Sequence, residues 1–274
     1  MRKLLSGIAG AAFAFGAMVG NSASAANLDQ LISSNFNGGN PEVGFEDLSV
    51  ETIPNDDGDG LLEVGESLAG YANFESVTIS GNIVGLGDSY GNSALIAVFS
   101  TTVTAAADDG DGGTDYTFGS PTVSVIEIPS GDLGFDPVQF PAQSAATLAA
   151  LAAGGNEVLR FGFTGDGSEI WTANANTTDT TDVGLTVDFD ANLSLLVNNL
   201  NTTLVQQPRT AAQSPDGGTT EAFLTGNAFV NNVNNADFPV RNDADLFIAL
   251  IPEPATATLG LLALGGLAMR RRRH

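Results

Sequence analysis

The sequence predicts a mainly β fold: a single β-sandwich of jelly-roll or Ig-like type, with a short helix ahead of it and one alanine-rich helix inside it. Three observations point there. Nine runs rich in Val, Ile, Thr and Phe are separated by clusters of Gly, Asp, Asn and Pro, the punctuation of strands and turns. Several runs alternate at period two, as in Val77-Thr78-Ile79-Ser80 and Val123-Ser124-Val125-Ile126, so one face of each is apolar. No repeat of fixed period is visible, which disfavours a solenoid or a propeller.

The elements follow in chain order. In Asn27 to Phe36, the residues Leu28, Leu31, Ile32 and Phe36 share one helical face, which predicts a short N-terminal helix. After Gly38-Gly39 the strand-like runs begin. They are Phe45 to Ile53, Tyr71 to Val84, Ala94 to Ala105, Tyr116 to Ile128, Val158 to Thr164, Glu169 to Thr172, Val183 to Val197, Glu221 to Phe229 and Leu246 to Ile251. The longest exceed an ordinary strand and call for a bend or bulge. Ala142 to Ala153 is dominated by alanine and leucine and stopped by Gly154-Gly155, so it reads as a helix or a compact alanine-rich loop. A two-domain split near Pro137 to Gly155 is the alternative to one domain.

Composition narrows the chemistry. Between residues 26 and 251 only Arg160, Arg209 and Arg241 are cationic, against 31 carboxylates, a formal charge of −28. Such a field repels nucleic acid and attracts divalent cations. There is no cysteine, which excludes disulfides, thiolate metal sites and cysteine nucleophiles. The single histidine is His274, the last residue. At the far end of the chain it offers no Ser/His/Asp triad and no histidine-ligated zinc to residues 26–251.

Both ends read as addresses. Met1-Arg2-Lys3 is a basic start, Leu4 to Gly20 is apolar or small, and Ala23-Ser24-Ala25 is a small-x-small cleavage site at Ala23 and Ala25. Residues 1–25 are therefore expected to be a signal peptide, handled by the secretion machinery and signal peptidase. At the other end Pro252-Glu253-Pro254 precedes an uncharged apolar stretch, 255–269, and then Arg270, Arg271, Arg272 and Arg273. As a helix the stretch reaches roughly 22 Å, short of the roughly 30 Å hydrocarbon core. The arginines act as a membrane stop that keeps this end in the cytoplasm.

That three-part order, with its literal Pro252, Glu253 and Pro254, resembles the PEP-CTERM sorting signal over Ile251 to His274. The resemblance implies transient anchoring, processing near Pro-Glu-Pro by an exosortase, and a final place at the outer surface or in the extracellular matrix. It also implies an association with exopolysaccharide. A plain tail anchor is the competing reading.

One internal motif stands out. In Asn55-Asp56-Asp57-Gly58-Asp59-Gly60-Leu61-Leu62-Glu63-Val64-Gly65-Glu66, oxygen side chains fall at positions 1, 3, 5, 9 and 12, with glycine at 6 and an aliphatic residue at 8. Calcium takes six to eight hard oxygens, and this spacing wraps one turn of chain around an ion. Asn55, Asp57, Asp59, the Leu61 carbonyl, Glu63 and Glu66 are the candidate ligands for Ca2+. The segment resembles an EF-hand or dockerin-type loop, departing from it in the uncharged Asn55 and in flanks that read as strands. An acidic turn without an ion is the alternative.

A second acidic run, Asp108 to Asp115, lacks the late glutamate and reads as a flexible linking loop. Asp179, Asp182, Asp188 and Asp190 define no geometry from sequence alone. Trp171, just after Glu169, is either a core residue or an aromatic platform for sugar. With no pair singled out among the 31 carboxylates, the chain reads as non-enzymatic. The expected role is structural or adhesive and calcium-stabilised. A glycan-binding surface module is the alternative, and a carboxylate-dependent glycan-active enzyme a more distant one.

Overall fold

The computed structural model describes residues 26–36, 42–53, 62–86, 94–128, 144–165, 167–175, 185–200, 202–204, 206–208, 219–230 and 240–251. Chain order gives α1 (Ala26–Asn35), β1 (Glu42–Thr52), β2 (Ser67–Ile79), β3 (Asn82–Gly85), β4 (Ala94–Asp108) and β5 (Thr114–Ile128). Then come α2 (Ala145–Gly154), β6 (Asn156–Gly162), β7 (Ile170–Ala175) and β8 (Leu185–Asn198). The short β9 (Thr203–Leu204), β10 (Gln207–Pro208) and β11 (Thr219–Thr220) precede β12 (Ala222–Val230) and β13 (Val240–Ile251).

The chain is mainly β, as expected, but the sandwich is not formed: the sheet closes into an eight-stave antiparallel barrel. Each long strand pairs with its neighbour in sequence, and β13 returns to pair with β1 through Phe45↔Leu246 and the rungs on either side. Closure leaves the main sheet without a free edge along that seam. A jelly-roll or Ig-like sandwich needs strands that cross between two sheets, and none of the pairings does so. Alternation of apolar and polar residues is common to both architectures, so it could not separate them.

One stave is made of two strands. β6 occupies the slot between β5 and β8 at one end, through Val123↔Phe161 and Phe161↔Leu195. β7 fills the other end of that slot, through Tyr116↔Ala173 and Ala173↔Phe189. The expected run Tyr71 to Val84 is likewise divided, by a Ser80-Gly81 turn in which both residues have positive φ. That is the geometry a two-residue hairpin favours. Register shifts at Glu46/Asp47, Ser100/Thr102 and Val125/Ile126 supply the bends the long runs called for.

The interior is apolar. Phe45, Phe74, Leu95, Phe99, Val125, Phe161, Leu193 and Leu246 belong to one buried cluster. At its centre Trp171 lies 6.1 Å from the Phe118 ring and 6.5 Å from those of Phe99 and Phe189. Gly70 makes this packing possible: a Cβ there would stand 2.5 Å from the Phe99 ring and 2.4 Å from the Val50 carbonyl.

Both expected helices form. Leu28, Leu31 and Ile32 of α1 are buried and join the interior cluster. α2, capped by Ser144, instead covers the outside of the wall. Its Leu148 and Ala152 pack with Val50, Tyr71, Ile96, Ile126 and Ile128 in a separate cluster. Elsewhere the outer face carries carboxylates such as Asp188 and Asp243, both exposed. Apolar inside and acidic outside is the reverse of a barrel whose outer surface meets lipid.

Candidate functional site

Antiparallel staves send alternate connections to the same rim. The β1–β2, β4–β5, β7–β8 and β12–β13 connections all leave one rim, and their sequence holds ten carboxylates. The connections at the opposite rim are longer in total and hold five. The connections of the first rim thus carry twice as many carboxylates in their sequence, and both acidic motifs belong to them.

The expected calcium segment is the β1–β2 connection. Asn55, Asp57, Asp59 and Leu61 lie outside the described residues, while Glu63 and Glu66 lie within them. Glu66 donates its N–H to the Glu63 carbonyl at 3.1 Å, and its Oε2 accepts the Glu63 N–H at 2.8 Å. Gly65 sits at φ +98°, a conformation that only glycine adopts readily. The Gly65 N–H donates to the Val103 carbonyl at 2.9 Å, and the Val103 N–H donates to the Glu66 carbonyl at 2.8 Å. The end of the segment is thus a closed turn stapled to β4.

Glu66 is buried and Glu63 is exposed. Burial pushes the neighbouring Tyr116 hydroxyl up to about 12; a hydrogen bond with Thr114 opposes the rise, and the charge of Glu66 adds to it. One Glu66 oxygen is engaged by the main chain, but a carboxylate oxygen has two lone pairs and can also face a cation. Among the described residues, no three acidic or histidine side chains gather closely enough to form a metal site without the rest of the segment.

The β4–β5 connection departs from the expected flexible linker. It is a folded turn built on Asp109, whose Oδ1 accepts the N–H groups of Asp111 at 2.8 Å and Gly113 at 2.9 Å. Its Oδ2 accepts from the Asn174 side-chain amide at 3.3 Å, and Asn174 also donates to Asp115 at 2.7 Å. Hydrogen bonds from the Asp111 and Gly113 N–H groups, with Asn174, hold the Asp109 carboxyl below the usual carboxylate range. Here a carboxylate satisfies the backbone and no ion is required.

Trp171 is a core residue, 3% exposed, which removes it as a surface platform. Glu169, two residues before it, closes the excursion between β6 and β7. Its carboxylate accepts the N–H and hydroxyl of Thr164 and the N–H of Gly165. Burial acts to raise the Glu169 pKa, but the nearby Ser194 side chain and these bonds outweigh it and leave it lowered.

Register also builds a surface that the sequence did not reveal. Across β8, β12 and β13, Asp188 faces Asn227 and Asn227 faces Asp243. On the next rung Asp190 faces Thr225, which faces Asp245. Burial raises the Asp190 pKa, against a hydrogen bond from Thr225 and with the charge of Asp188 adding to the rise. The only sequence signal was the period-two spacing of each acid pair, which is silent about which strands adjoin.

No protein-family model matches the chain, and no curated protein and no solved structure matches it either. No helix among the described residues is long and apolar enough to cross a membrane. The expected signal peptide with Ala23 and Ala25, the Pro252-Glu253-Pro254 motif, the 255–269 stretch and Arg270 to Arg273 all lie outside the described residues.

Proposed function

We propose that this chain is an exported, exosortase-sorted protein of the cell surface or extracellular matrix, with a structural or adhesive role carried by the outside of its barrel. The observation that carries the reading is the filled interior. With Trp171, Phe99, Phe118 and Phe189 packed together at the centre, the space among them is no larger than about 20 Å³, too small for an internal ligand such as a lipid or a sugar. Contacts with partners then fall on the acidic exterior and the acidic rim.

The targeting half of the proposal rests on the sequence order of basic start, apolar run and small-x-small site, and of Pro-Glu-Pro, apolar run and arginines. Calcium at the β1–β2 connection would stabilise the rim and screen the repulsion among its carboxylates. Burial of Trp171 takes away the aromatic residue that most favoured glycan binding, so the structural or adhesive role is preferred.

Replacing Pro252, Glu253 and Pro254 with alanine in the native host tests the sorting step. The expected result is an exported protein that keeps its tail, accumulates in the inner membrane fraction and fails to reach the surface. Normal processing and normal surface display would leave only the plain tail anchor.

A further inference from the structure

We infer that the centre of the barrel holds a binding site for one buried water molecule, on Ser49 and Glu51 of β1. A cavity of about 20 Å³ lies there, lined by Ser49, Glu51, Ala72, Phe99, Trp171 and Phe189 among others. One water needs roughly 10–15 Å³, so the space admits a single water and no larger ligand. Alanines at positions 72, 97 and 244 leave the room that the surrounding rings do not fill.

Size alone would not wet the cavity, because an apolar cavity of this kind stays dry. Ser49 decides it. Its side chain is 2% exposed, and its hydroxyl has no hydrogen-bond partner in the protein. A buried hydroxyl left without a partner is costly, and a bridging water removes that cost. Glu51, two residues along the same face of β1 and 4% exposed, lines the same space and offers carboxylate oxygens. A water there donates to one group and exchanges a hydrogen bond with the other. A metal ion would require about six oxygens, more than these two side chains present.

The site also explains why two polar residues stand on the inward face of a stave whose other inward positions include Val43 and Phe45. Their polarity is matched inside the barrel, and the β1 seam is tied to a fixed internal partner.

The experiment uses the full chain. In the wild type, water-to-amide NOEs recorded on β1 should show cross-peaks at Ser49 or Glu51 that survive suppression of exchange, as expected for a long-lived internal water. Magnetic relaxation dispersion should count one fewer long-lived water in Ser49→Val, which fills part of the space, than in the wild type. Absence of the cross-peaks in the wild type overturns the proposal without any variant. So does an unchanged water count in a folded Ser49→Val, which would mean that the cavity is dry.

Discussion

Two acidic connections share one rim of the barrel, and they use their carboxylates differently. The β4–β5 turn spans five residues, and Asp109 alone reaches its N–H groups at Asp111 and Gly113. The β1–β2 connection spans fourteen, and only its last turn, Glu63 to Glu66, is closed by a carboxylate of its own in the described residues. Both carry Asp-Gly repeats. A short turn brings its donors within reach of one side chain, whereas a longer acidic segment carries more like charges along its sequence. The motif Asp-Gly-Asp-Gly is thus compatible with the self-capping seen at Asp109 or with the cation binding proposed for the longer connection.

The strongest test of that difference is calcium. On the proposed reading, calcium at a hundredfold excess over its Kd stabilises the fold by about 2.7 kcal/mol. For a domain of this size that is a rise of about 5–10 °C in Tm. Asp57→Asn combined with Asp59→Asn should abolish the rise, and Asp109→Asn should leave it intact. Equal Tm values with calcium and with a chelator would place both connections in the self-capped class.

How much of this was readable depended on the range of the interaction. α1 and α2 were visible because their signals are local: the spacing of Leu28, Leu31 and Ile32, and the alanine run stopped by Gly154-Gly155. The strands were visible for the same reason. Closure was not, because it rests on β1 pairing with β13, about two hundred residues away, and no pattern within either strand names its partner. The same gap hid the Asp188–Asn227–Asp243 rung. It also left Trp171 undecided until its stave was seen to face inward. Asp109 was misjudged for a different reason: the sequence shows an acid, but not that its oxygens would meet two N–H groups of its own turn.

A smaller effect separates the two roles open to Glu66. Glu66→Gln keeps an oxygen to accept the Glu63 N–H but removes the charge that a cation needs. Without calcium, its stability should stay within about 1 kcal/mol of the wild type, as a neutral hydrogen bond replaces a charged one. With calcium, its Tm should rise less than that of the wild type, as read by calorimetry. A large loss in the chelated protein, with the calcium response unchanged, would make Glu66 a cap and nothing more.

The smallest expected effect belongs to Asp109, which is half-buried in a surface turn and can exchange its lost partners for water. Asp109→Ala should lower Tm slightly, by the same amount with and without calcium. Its pH dependence has a definite sign. Because the folded state holds the Asp109 carboxyl below its ordinary value, its contribution is fully present above the unfolded pKa of about 3.9 and fades as pH falls through the lower folded one. The Tm difference between wild type and Asp109→Ala should therefore be constant near neutrality and close toward zero in strong acid. A difference that instead grew on acidification would mean that Asp109 is not held by its own turn, and the contrast between the two connections would fail at its simpler end.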